Sequence, residues 1–257
     1  MDEDARTVGT GADGSLSIRE PPRVLVPVEV LAGQTVPRSL VEFLAPAEVV
    51  VLGYHVLPEQ TPTEQASMQF EDRAQAAVDD VARAFVEAGR EVEKRVVFTH
   101  DREKSLDRIA AEVEATAVLL PNPVGEITDV LVPLRGAVEV DRLADLVATL
   151  MSGRDIEVTL WALTRDSDMG AANRLLDDAA ARLSDRGVHP EHLRTEATET
   201  EAPTRAIVDR SDEFDAIVMG EGERSLLTTV LGDTTERIAE GSVAPVLVVR
   251  GRDDTAD

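Results

Sequence analysis

The run Val24-Leu25-Val26-Pro27 returns as Val130-Leu131-Val132-Pro133, and the return extends well beyond four residues. Each copy is followed by a helical pattern, then by a β-branched run carrying a large aromatic, Tyr54 in the first copy and Trp161 in the second. Next come two long amphipathic stretches, ending at Gly89 and Gly187, each a glycine suited to a left-handed C-cap. A third apolar run, a short helical stretch and a fourth run (TAVLLP or DAIVMG) complete each series. Short apolar runs alternating with helical periodicity specify a parallel α/β architecture, and the repeat specifies it twice. Tyr54 and Trp161, each the only residue of its kind, are expected at equivalent places.

Nine strand-like runs are expected in all: RVLVPVEV, EVVVLGYHVL, VEKRVVF, TAVLLP, DVLVPLRG, IEVTLWAL, EHLRTEA, DAIVMG and APVLVVR. The copies end differently. The second continues through a Gly-x-Gly turn, a helix around Asp233 to Glu240 and a fifth strand, whereas the first passes through NPVGEIT directly into the next DVLVP. The expected organisation is a disordered acidic tail over 1–22, a truncated first domain over 23–125, a complete second domain over 126–250 and a disordered tail over 251–257.

Charge limits the partners. The net charge is −24, with 50 acidic residues against 26 basic, which argues against nucleic acid or an anionic membrane as main partner. All of the basic residues except Lys94 and Lys104 are arginine. A carboxylate-rich surface with few lysines suits solubility in molar salt, where the Debye length shrinks to about 3 Å, so a salty cytoplasm is expected. The acidic start lacks the basic and apolar segments of a signal peptide, and no apolar run reaches membrane-spanning length. The chain has no cysteine, which excludes disulfides, thiolate metal sites and cysteine nucleophiles.

The opening VLVP and the closing IVMG…G…VAPVLVV resemble the universal stress protein family, and the resemblance spans both copies, roughly Arg23 to Arg250. It implies two tandem Rossmann-like open parallel sheets, the first truncated after its fourth strand. In nucleotide-binding members it further implies a loop of the form Gly-x2-Gly-x9-Gly-Ser/Thr and an Asp after the first strand for adenine and ribose. Here Gly220 leaves Glu223 where the second glycine belongs; starting from Gly222, Gly232 follows after nine residues, but Asp233 precedes Thr234 where Ser or Thr is due. At the Asp position stand Glu29 in the first copy and Arg135, after Leu134, in the second. The fifth strand commonly contributes to dimer pairing in the family, which makes Val246, Val248 and Arg250 a candidate dimer edge; the strand could pair with its equivalent in a second chain or cover the truncated first copy.

The loop supports two readings. Gly220, Gly222 and Gly232 leave room for a phosphate at a helix N-terminus, with Arg224 as a charged donor and Ser225, Thr228 or Thr234 as hydroxyl donors, so ATP with Mg2+ is one candidate ligand. Alternatively Asp233 is an N-cap with Glu236 as its capping-box partner, and the helix end is satisfied from within. No catalytic constellation is visible: there is no Gly-x-Ser-x-Gly elbow, no Gly-x4-Gly-Lys-Ser/Thr loop and no HExxH. His189 and His192 form HPEH without an assignable third ligand, so no metal site is expected. The expected function is a regulatory or interaction module acting through a homodimer or another protein; the alternatives are an ATP-binding stress sensor and a soluble regulator of a membrane transporter.

Overall fold

A computed structural model of the chain describes residues 16–135, 139–165, 168–221 and 238–251. All nine expected runs are strands: β1 (Arg23–Glu29), β2 (Glu48–Val56), β3 (Val92–Thr99), β4 (Ala117–Leu120), β5 (Asp129–Leu134), β6 (Glu157–Thr164), β7 (Leu193–Glu199), β8 (Ala216–Gly220) and β9 (Val246–Val249). The helices between them are α1 (Arg38–Leu44), α2 (Thr63–Glu87), α3 (Arg102–Glu112), α4 (Val140–Met151), α5 (Met169–Asp185) and α6 (Pro203–Arg210).

The two expected sheets are one. The strand order is β3-β2-β1-β4-β9-β8-β5-β6-β7, which is the same sequence of strands read outward in both directions from β9. β9 runs parallel to β8 (Ile217↔Val246 to Gly220↔Val249) and antiparallel to β4 (Ala117↔Val249 to Leu120↔Val246). The last strand therefore serves as the fifth strand of both halves. This overturns the expected dimer edge: Val246 and Val248 are buried, and hydrogen bonds on both sides of β9 leave it no free edge to offer a second chain. The half-buried Arg250 continues the junction, its N–H donating to Thr116 O at 2.9 Å.

Helices cover both faces, which is why the inner strands read as nearly unbroken apolar runs. On one face α1, α2, α4 and α5 pack against residues such as Val24, Val26, Val132 and Leu247; on the other α3, α6 and Ile238 pack against Leu25, Leu52, Trp161 and Val248. Both expected glycine caps form. Gly89 (φ 85°) donates to Val86 O and Arg90 to Phe85 O; Gly187 (φ 94°) donates to Ser184 O and Val188 to Leu183 O, the paired bonds of a Schellman motif. α3 makes the same two bonds (Glu114 to Ala111 O, Ala115 to Ala110 O) with a non-glycine, Glu114, at φ 53°.

Residues 16–22, expected within a loose tail, are pinned to the far half. Ile18 is buried, Ser17 N–H donates to Arg186 O, and the N–H groups of Arg19 and Glu20 both donate to the carboxylate of Asp145 on α4, each at 3.2 Å. Asp145 also takes the buried guanidinium of Arg186 at 2.5 Å. Two charges out of water need such saturation, because either one alone would be left without compensation.

Candidate functional site

Ligands of open parallel sheets bind beyond the carboxyl ends of the strands, where the strand order reverses. This chain has two such places. β1 and β4 pair only at Val24↔Ala117 and Leu25↔Val118, and β5 and β8 only at Val130↔Ala216 and Leu131↔Ile217. Each pair diverges after two residues, opening a crevice toward the carboxyl ends.

In the second half, the described candidate residues meet at this end. Leu134 is fully buried and packs in the core, so it positions the strand end instead of lining the crevice. Arg135 follows it, exposed, and Gly220 closes the neighbouring β8. Glu221, the first acidic residue of the loop, folds back: its N–H donates to Val249 O and its carboxylate accepts from Gly251 N–H at 2.9 Å. Gly222, Arg224, Ser225, Thr228, Gly232, Asp233 and Thr234 lie outside the described residues.

The first-half crevice is a different object, marked in the sequence by Glu29 alone. It is a cleft of about 240 Å³ between Pro27, Tyr54, Arg102 and Asn122, closed from the far side by Ala239 and Glu240 of the second half. Glu29, at the position where the resemblance implies Asp, has its N–H taken by Gln34 Oε1 at 2.9 Å. The Arg102 guanidinium lies 5.4 Å from the Tyr54 ring centre, with its Nε buried and without a hydrogen-bond partner among the described residues. Small-molecule sites usually enclose roughly 300–1,000 Å³, and this cleft falls below that range.

Self-satisfaction, which the sequence suggests for Asp233, is visible at α3. Asp101 caps this helix by accepting from Lys104 N–H at 3.1 Å, and the Lys104 ammonium adds an ion pair at 2.9 Å. The Lys104 side chain and then its N–H hold the Asp101 carboxyl below the usual carboxylate range. Asn122, between two prolines, ties the halves together: its amide lies 3.1 Å from Ser242 O, 3.0 Å from Ala244 O and 3.4 Å from Ala239 O. No local pattern marks a cross-half contact of this kind.

The aromatics are not equivalent. Aligning Val24 with Val130 through the registers Val24↔Val49 and Val130↔Val158 sets Leu52 opposite Trp161 and Tyr54 opposite Leu163. They share a face but sit two residues apart along the strand. Tyr54 reaches the crevice, while Trp161 lies deeper, its Nε1 donating to Thr198 Oγ1 at 2.9 Å and its face covered by Arg210 at 4.8 Å. Hydrogen bonding to Glu196 raises the Arg210 pKa despite burial, so this cation is committed to packing. Of the remaining histidines, His100 Nδ1 lies 3.3 Å from Leu57 O, and His55 stands edge-on to Phe98.

Residues 128–250 match the family model described as the universal stress protein family. The fold is similar to that of a universal stress protein from Archaeoglobus fulgidus, with a TM-score of 0.62 at 17% identity, over 92% of this chain and 99% of that one. A putative universal stress protein from Pseudomonas aeruginosa UCBPP-PA14 (TM-score 0.52, 12% identity, 89% and 92% coverage) is also similar. So is a functionally unknown protein from Pseudomonas aeruginosa PAO1 (TM-score 0.51, 12% identity, 90% and 93%). At these identities the likeness concerns the fold. No curated protein matches the chain.

Proposed function

We propose that the chain is a non-catalytic regulatory module of the universal-stress-protein type, which acts by associating with a protein partner in a high-salt cytoplasm. The observation that carries this reading is the position of β9 between β8 and β4. Strand pairing of the kind the family resemblance assigns to a dimer is used up inside one chain. The outer strands are β3 and β7, which carry Glu93, Lys94 and Arg95, and Arg194, Glu196 and Glu199, charges that discourage further edge pairing. Recognition then falls to helix and loop surfaces; a membrane transporter is one class of partner the resemblance implies.

A second reading keeps the nucleotide. Arg135 and Gly220 both stand at the carboxyl end of the β5/β8 crevice, where a phosphate would be held. One experiment separates the two. Thermal unfolding in molar KCl, with millimolar ATP and Mg2+, is expected to show no shift, because only a ligand of the folded state stabilises it. A rise of several degrees would overturn the first reading in favour of the second. Light scattering under the same conditions is expected to give the mass of one 27.7 kDa chain.

A further inference from the structure

We propose that Asp155, Glu157 and His192 form a binding site for a divalent transition-metal ion of the Zn2+ class, at the opposite pole of the sheet from both crevices. Only His192 of the HPEH pattern takes part; the other two ligands come from the start of the neighbouring strand, Glu157, and the residues leading into it, Asp155. β6 and β7 pair in parallel from Val158↔Leu193, so the residue before each partner, Glu157 and His192, is brought side by side. The turn Pro190–His192, closed by His192 N–H to His189 O at 3.0 Å, presents the imidazole toward β6. Asp155, two residues upstream of Glu157, completes the group: one ligand atom from each residue lies within 4.8 Å of the others.

The distances favour a bridging ion over a direct ion pair. His192 Nδ1 is 3.5 Å from Glu157 Oε1 and 3.7 Å from Asp155 Oδ1, and it is buried without a hydrogen-bond partner among the described residues. A charge-assisted N–H to carboxylate bond closes to about 2.7–2.9 Å. Two ligand atoms bound at about 2.1 Å and separated by a tetrahedral angle stand about 3.4 Å apart, close to what is seen here. The other oxygen of Glu157 is held by Arg194 Nη2 at 3.2 Å, which orients Oε1 toward the imidazole as an outer-shell partner would. Imidazole with two carboxylates suits Zn2+ better than Mg2+, which prefers oxygen and water throughout. Three protein ligands leave a coordination position open, and a cleft of about 380 Å³ lined by Asp155, His189 and His192 adjoins it. The ion would fasten the start of β6 to the turn that leads into β7.

The test is Zn2+ titration of the chelator-treated full chain, by competition with a chromophoric chelator, in 1 M KCl to screen the acidic surface. One saturable equivalent per chain is expected. Outer-shell changes alone cost 10–100-fold in affinity, so His192→Ala should weaken binding about tenfold or more. Asp155→Asn should do likewise, and since that side chain is 97% exposed its folding is not at risk. Co2+ should give the intense visible absorption of a low-coordinate complex, and 10 mM Mg2+ should not displace it. No saturable equivalent, equal affinity in both variants, or displacement by Mg2+ would each overturn the assignment, the last two by reducing it to diffuse binding on carboxylates.

Discussion

The halves on either side of β9 share a strand order but differ in what they supply to it. The second half makes β9 and holds it in parallel register with β8; the first half receives it antiparallel on β4 and has no fifth strand of its own. The same inequality appears at the helix caps. The residue before the cap glycine is Ala88 in the first half and Arg186 in the second, and only the latter reaches Asp145 and the incoming 16–22 segment. One repeat thus became the recipient and the other the donor. That division joins two similar sheets into one nine-stranded sheet.

The sharpest way to break this picture is Val248→Asp. A charge at this buried position faces apolar neighbours from both halves, so a loss of about 4 kcal/mol or more is expected. Urea unfolding followed by both Tyr54 and Trp161 emission should show one coincident transition at lower denaturant. Separate transitions would mean that the halves fold independently. Arg186→Met comes next: it leaves Asp145 buried and charged, and is expected to cost about 3–5 kcal/mol, partly recovered by adding Asp145→Asn.

Smaller effects compare matched positions. Gly53 aligns with Ala162, yet a Cβ at Gly53 would sit 2.3 Å from Val78 Cγ2 and 2.7 Å from Val30 Cγ1. Gly53→Ala should therefore destabilise by about 1–3 kcal/mol through overpacking. Ala162→Gly should lose about 0.5–1 kcal/mol through chain entropy, read in the same urea assay. Glu114→Gly should stabilise by about 1 kcal/mol, because glycine relieves the left-handed backbone that α2 and α5 already assign to Gly89 and Gly187.

Burial raises the pKa of Asp141, but hydrogen bonds from Arg182 and Arg186 outweigh it and leave the carboxyl below its ordinary value. A depressed carboxylate pKa contributes stability above the unfolded value of about 3.9, and that contribution is lost as the pH falls through the folded value. Asp141→Asn should flatten the acid limb of the stability curve below about pH 4 in urea unfolding at stepped pH, and Asp101→Asn, at a fully exposed first-half carboxyl, should flatten it less.

How much of this was legible depended on range along the chain. The strands and the two glycine caps follow from periodicity and from single residues whose conformational preferences are local. The partner of β9 does not: APVLVVR reads alike as an edge or a centre, and only the missing fifth strand of the first half decides it. The two-residue offset between Tyr54 and Trp161 arises from strand register, which a shared motif order cannot convey. Leu16 and Ile18 alternate like a strand within a polar stretch, a small signal outweighed by the surrounding Gly, Asp and Ser. The group at Asp155, Glu157 and His192 is assembled where the starts of two strands meet, so HPEH by itself is incomplete.

The shared strand also sets a timetable. Leu119 meets Leu247 only after about 130 further residues have been made, which at roughly 5–20 residues per second leaves β4 without its partner for on the order of ten seconds. During that interval the nascent first half presents an open apolar edge, the kind of surface that chaperones protect and that aggregation exploits. Chains arrested before Pro245 should be cut by protease within 23–120 faster than finished ones; equal resistance would show that the first half closes without waiting.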